Sequence, residues 1–284
     1  MYDSSRPSRL TNPWVLRMIA NNTIDHGLSN AASAMAFDLF LGLIPLIAMM
    51  GWLAGYLART GRTIAFDLRL LDLAPGPAAT LARSQLSRLD PDISTFAGVV
   101  LVGFLWLSSS GTHVALATVR GILGLPPRTY VRTRLLALGI TFGGVIVTSL
   151  ASGAAVLIHG LGAVGAFSER EHALWKGLLV ISTLLAATLG NALLYRIASG
   201  RKWERRSILP GSLLAAIALH LVSWVFSAYV QTLAKYTAFY GGLAGVAVLL
   251  IWLWMMSLVV LIGAEANAVL DETRGKTPLR RSQQ

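Results

Sequence analysis

The side chains of this chain that could do chemistry are few and scattered. His26, His113, His159, His172 and His220 lie far apart and show no metal-ligand spacing. There is no HExxH, no GxSxG, no Walker-type loop and no acid cluster suited to two-metal chemistry. The absence of cysteine excludes disulfides, thiolate metal sites and a cysteine nucleophile. The expectation is a protein that is not an enzyme, with no catalytic residue, metal site or cofactor. What stands out instead is a set of polar residues inside apolar sequence: Asp38, Ser109 within Ser108–Ser110, Asn191, His220, Glu265 and Asn267. An ionisable or amide side chain in such a run is expensive unless it faces a bundle interior or a wet cavity. Two readings follow. These groups line a water-accessible, cytoplasm-facing cavity that binds protons, cations or a solute, or they make helix-to-helix hydrogen bonds that fix packing. Packing is the simpler reading for Ser109, Asn191 and His220, and Glu265 could also extend to the headgroups.

The elements that carry these residues are membrane spans. Of 284 residues 55% are hydrophobic and 13% charged, and the mean hydropathy is +0.62. Such values, with long uninterrupted apolar runs, predict an all-α polytopic integral membrane protein. The longest run is Tyr240 to Leu270, where the 24 residues from Gly241 to Ala264 carry no charge. As a helix that length crosses a hydrocarbon core of about 30 Å. Six spans are predicted in one membrane domain, at about 30–58, 93–112, 135–159, 173–198, 208–231 and 241–267.

Pro45 inside the first span predicts a kink or break. Gly139 and Gly143, at four-residue spacing, predict close helix contact, as does Gly245. Tyr240-Gly241-Gly242 reads as a turn at the start of the sixth span, and Leu209-Pro210-Gly211 as the opening of the fifth. Asn12-Pro13-Trp14 starts a short interfacial helix over 12–26, with Trp14, Met18, Ile19 and Thr23 on one side. Residues 59–92 read as two amphipathic helices too short and too charged to span, and 271–284 as a basic tail.

Charge orients the bundle. Six spans put both termini on one side, and 16 of the 24 lysines and arginines fall on that side. The positive-inside rule places it in the cytoplasm. The net charge of +11 is then mainly a topology signal, so no nucleic-acid partner is expected; the basic loops would meet anionic lipid headgroups. The first ten residues, MYDSSRPSRL, hold no apolar core of a signal peptide.

The run YGGLAGVAVLLIWLWMMSLVVLIGAEANAVL resembles the signature of the YihY/BrkB family of bacterial inner-membrane proteins. NAASAMAF…LIPL in the first span, WLSSSG after the second and LPGSLL…FSAYV in the fifth are similar to further blocks of that family, in the same order and spacing. The resemblance covers nearly the whole chain. It implies six spans in a bacterial cytoplasmic membrane. At Asp38 this chain departs from the family pattern, where many relatives carry an aromatic or small residue. Members once carried the label ribonuclease BN and others that of virulence or serum-resistance factor. The predicted function is that of a transporter or exporter of a lipid-like or anionic solute, in which Pro45 and Gly241-Gly242 permit rearrangement. The alternative is an envelope scaffold that transports nothing; a membrane-bound ribonuclease ranks last.

Overall fold

The computed structural model describes residues 13–59, 94–163, 169–200, 205–233 and 237–273. These form seven helices and no strand: α1 (Pro13–Asp25), α2 (Leu28–Arg59), α3 (Ser94–Ile122), α4 (Tyr130–Ala163), α5 (Glu169–Ser199), α6 (Arg205–Leu233) and α7 (Thr237–Thr273). Six of them, α2 to α7, are long and apolar enough to cross a membrane. With no water in hydrocarbon to meet a backbone amide, a chain of this hydropathy pairs its amides within helices. The amphipathic insertion read at 59–92 and the basic tail beyond Thr273 lie almost wholly outside the described residues.

Several local readings change. The helix does not stop at the polar run Ser108 to His113 but continues to Ile122. The hydroxyls of Ser109 and Ser110 donate back to the Trp106 carbonyl, at 2.9 and 3.3 Å, so the polar run satisfies itself without leaving the helix. α2 runs unbroken through Pro45. Tyr240-Gly241-Gly242 lies inside α7, which begins at Thr237, and makes no turn. α6 starts at Arg205, so Pro210 sits inside it instead of opening it. Gly139 and Gly143 are not a contact pair: both are exposed, and no described residue lies within 4 Å of where a Cβ would sit. α4 turns its opposite side inward, burying Thr133, Arg134 and Ala137. Close approach occurs instead at Gly42, Gly111, Gly211 and Gly263.

α3 is the hub of the bundle, touching α2, α4, α5 and α7; α2 also packs on α7, and α6 lies between α5 and α7. The main core sits at one end. It joins Leu28, Ala32 and Met35 at the start of α2 to Leu116 and Val119 near the end of α3, with Tyr195 of α5 and Leu261 of α7. That end carries the α3–α4 connection and the C-terminus of α7, and α1 docks there too. Val15 and Ile19 of α1 pack on Ala266 and Val269 of α7. The inward face of α1 is thus Val15, Ile19 and the half-buried Asn22, a stripe at 3.6-residue period that the more exposed His26 continues just past the helix end, while Trp14 is half exposed. The turn that follows α1 is made at Gly27, whose φ of 60° suits a residue without a Cβ. The Gly27 N–H donates to Ile24 O (3.0 Å), and α2 begins one residue later.

Candidate functional site

Two polar centres occupy the packed end of the bundle, and the sequence-predicted residues divide between them and positions outside both. The first centre is built on the last turns of α7. Glu265, fully buried, accepts hydrogen bonds from two residues of the α1 region. Asn22 Nδ2 donates to Oε1 at 2.9 Å and His26 Nδ1 pairs with Oε2 at 2.9 Å. The hydrogen bond to Glu265 holds the His26 imidazole above its ordinary pKa, with the charges of Glu265 and Asp25 adding to the shift and partial burial opposing it.

Two residues on, Asn267 points elsewhere, as the 200° between such positions on a helix requires. Its Oδ1 accepts the backbone N–H of Gly211 (2.7 Å) and its Nδ2 donates to the Ile208 carbonyl (2.8 Å). Asn267 therefore ties α7 to the backbone of α6 on both sides of Pro210. The contact is close because two glycines meet. A Cβ on Gly211 would collide with the Gly263 carbonyl, and one on Gly263 would stand 2.7 Å from Gly211 O and 2.6 Å from the Tyr195 hydroxyl. Tyr195, wholly buried, donates that hydroxyl to Val260 O at 2.6 Å. Asn267→Leu is expected to lower stability by about 1–3 kcal/mol, because the Gly211 N–H loses its partner in a buried seam, while the Ile208 carbonyl keeps the Ser212 hydroxyl (2.8 Å). Asn191→Leu should cost less, since the Asn191 Nδ2 donates only within its own helix, to Ala187 O (2.9 Å). Thermal unfolding of the two variants in one detergent measures the difference.

The second centre joins α2, α3 and α4. Arg134, 6% exposed, donates through Nη1 to Ser110 Oγ (3.0 Å) and through Nη2 to Trp106 O (2.5 Å), and its guanidinium lies 4.3 Å from the centroid of the Trp106 ring. His113 packs against the Tyr130 ring, centroids 5.1 Å apart. Asp38, half-buried on α2, lies within electrostatic reach of both Arg134 and His113. One helical turn beyond it, Gly42 lets α2 press on Ser108, with the Ser108 hydroxyl 2.5 Å from where a Cβ would be. Two buried nitrogens here, Arg134 Nε and His113 Nδ1, have no hydrogen-bond partner.

The remaining predicted residues stand apart. Ser109 is buried with its hydroxyl on Trp106 O. His220 bonds the Ala216 carbonyl of its own helix (2.9 Å) and Thr183 Oγ1 of α5 (3.2 Å). Gly245 is buried within α7. Among the described residues no three His, Asp or Glu side chains gather as metal ligands. Sequence reasoning missed Asn22, His26, His113 and Arg134. Asn22 and His26 share a face at four-residue spacing. Arg134 stands four residues after Tyr130, at the head of an apolar helix, where it reads as an ordinary loop charge.

Comparison with known proteins agrees with this architecture. Residues 19–284 match the family model described as Virulence factor BrkB. A Bacillus subtilis (strain 168) protein named as ribonuclease-like, YfkH, is 27% identical over 275 residues, covering 93% of this chain and 97% of its own length. A UPF0761 membrane protein of Xanthomonas oryzae pv. oryzae (strain PXO99A) is 26% identical over 260 residues, 87% of this chain. The match spans 58% of that relative's length. A UPF0761 membrane protein of Tolumonas auensis is 36% identical over a shorter stretch of 112 residues. No solved structure matches. With six apolar helices and a family match over nearly its whole length, the chain belongs to the BrkB family of membrane proteins.

Proposed function

We propose that this chain is a transporter of a small anionic or lipid-like solute, and that the seam between α2, α3 and α4 forms its polar path. The observation that carries the reading is the second polar centre. A carboxylate, an imidazole and a guanidinium are gathered within the spans, and two of their nitrogens are buried without partners. Each such orphan costs about 1–3 kcal/mol, a cost that an anionic group or water in the seam would offset. Charged residues at membrane depth mark solute or proton pathways more often than they serve packing alone. In this reading Asp38 exchanges a proton or competes with the solute for Arg134. Glu265 and Asn267 hold the bundle together.

The membrane is the bacterial cytoplasmic membrane, with both termini and the packed end of the bundle on the cytoplasmic side. The supporting observation is the excess of lysine and arginine at that end. The nuclease reading suggested by one relative's name has no observation in its favour among the described residues.

The test uses proteoliposomes loaded with a pH-sensitive dye and challenged in turn with gradients of chloride, inorganic phosphate, acetate and lysophosphatidylglycerol. The wild-type chain should dissipate at least one gradient faster than empty liposomes. Asp38→Asn should slow that flux by about tenfold, which corresponds to about 1.4 kcal/mol in the barrier, without changing the melting temperature. If every gradient decays as in empty liposomes, or Asp38→Asn matches the wild type, the transport reading fails.

A further inference from the structure

The connection between α3 and α4 holds an arginine cluster that the transport seam does not use. Arg120, in the last turn of α3, is spent on architecture. Its Nε and Nη2 donate to the Pro126 carbonyl (3.2 and 2.6 Å) and its Nη1 to Ala198 O near the end of α5 (2.9 Å). These bonds fold residues 123–129 back over the end of the bundle, helped by the turn at Gly124 (φ 59°). The fold-back carries Arg128 inward. Its Nη2 is the nearest atom to Gly200, 3.5 Å from where a Cβ would be. Its Nη1 is buried with no partner. Arg132 follows on the first turn of α4 and is exposed. Burial and the charges of Arg120 and Arg132 hold the Arg128 guanidinium below its usual pKa. No carboxylate among the described residues pairs with Arg128 or Arg132. Three like charges gathered without an acid are a costly arrangement for a fold to keep unless an anion shares it.

The depth of the cluster identifies the anion. Arg128 lies between two candidate spans, Val102–Ile122 and Tyr130–Val147, at the level where a span leaves hydrocarbon. Farther along α4 than Arg132, Leu135, Phe142 and Ile146 are 64%, 54% and 44% exposed; spaced seven and four residues apart they share one face and offer an apolar track running into the membrane. A phosphate on the arginines with an acyl chain on that track is the shape of one phospholipid.

We propose that Arg128 and Arg132 bind the phosphate of an anionic phospholipid headgroup, on a loop fixed by Arg120, with the acyl chains lying along Leu135, Phe142 and Ile146. Guanidinium groups suit the task because their planar donors match phosphate oxygens.

Native mass spectrometry of the full chain, released from nanodiscs of phosphatidylcholine with phosphatidylglycerol, tests the assignment. The wild type should retain phosphatidylglycerol in preference to phosphatidylcholine. Arg132→Gln, at an exposed position with no fold to disturb, should weaken that retention about fivefold, and adding Arg128→Gln should weaken it about fivefold again. Arg17→Gln, which removes an exposed charge from α1 at the same end, should change nothing. Equal retention by wild type and Arg132→Gln would overturn the proposal. So would an equal loss in Arg17→Gln, which would mean a diffuse charge effect. Inorganic phosphate bound by the wild type in phosphatidylcholine nanodiscs as tightly as phosphatidylglycerol would replace the lipid with a free anion.

Discussion

Gly263→Ala is expected to destabilise the bundle by about 1–3 kcal/mol, the usual cost of forcing one extra methyl into a closed core. In an open helix the same substitution stabilises, because glycine is about 1 kcal/mol worse than alanine as a helix residue. The sign reverses here because the neighbours cannot yield. The new Cβ would meet the Tyr195 hydroxyl, the Ala215 Cβ and the Gly211 carbonyl, all within 2.7 Å. The Gly211 oxygen is backbone, Ala215 is buried in the same helix, and Tyr195 is held by its bond to Val260 O. Moving α6 away to make room would also pull Gly211 and Ile208 from Asn267. One methyl therefore loosens a three-helix junction. Gly139→Ala is the matched control, with nothing within 4 Å, and should be neutral or slightly stabilising. Melting temperatures of the two variants in one detergent decide it; equal values would show that the α6–α7 seam yields freely. Tyr195→Phe added to Gly263→Ala removes one of the three obstructions and should recover part of the loss.

The glycines also show what the sequence could disclose. Spans are legible because membrane residence imposes one crude rule, an unbroken apolar length, and α2 to α7 all obey it. Which side of a span faces a neighbour follows no such rule. Gly139 and Gly143 have the spacing of a contact pair yet face outward, while Gly211 and Gly263, far apart in the chain, touch. In lipid both sides of a helix are apolar, so the polar-outside pattern that reveals helix rotation in water is lost. Polar residues keep some of that information. Glu265 and Asn267 read together as one cytoplasmic mouth, but two positions along a helix cannot share a face, and they serve α1 and α6 separately. On α1, partly in water, the period remained readable. Val15, Ile19 and Asn22 form one stripe that His26 continues past the helix end, whereas a stripe of Trp14, Met18, Ile19 and Thr23 turns the helix away from the partners of Glu265. Arg134 was hidden differently, because an arginine at a span end has a ready explanation in topology.

The α1 clasp supplies the second large effect, and it depends on pH. His26 is held above its ordinary pKa of 6.5 chiefly by its hydrogen bond to Glu265. A group whose pKa is raised by folding contributes its full stabilisation below the unfolded value and loses it as pH rises through the folded one. The His26–Glu265 pair should therefore hold α1 firmly below about pH 6 and weaken at a midpoint above 6.5, leaving Asn22 and the Val15–Ile19 contact in place. The chain has no cysteine, so single thiols report docking without background. Val15→Cys sits in the α1–α7 contact and Leu16→Cys, half exposed, reports intrinsic thiol reactivity. Their labelling ratio cancels the thiol's own ionisation. It should be low at acid pH and rise through the His26 titration. His26→Gln should flatten the profile. Glu265→Gln removes a charge-assisted bond worth about 1.5–3 kcal/mol, so its ratio should be raised by about ten- to a hundredfold across the acid range and lose its pH dependence. A ratio that ignores pH in the wild type, or one that responds equally in His26→Gln, would mean that apolar contact alone seats α1. The stripe itself argues for the clasp. Val15 and Ile19 place the helix on α7, and Asn22 and His26 fall one and two turns later on the buried carboxylate, which no other described side chain reaches in a hydrogen bond.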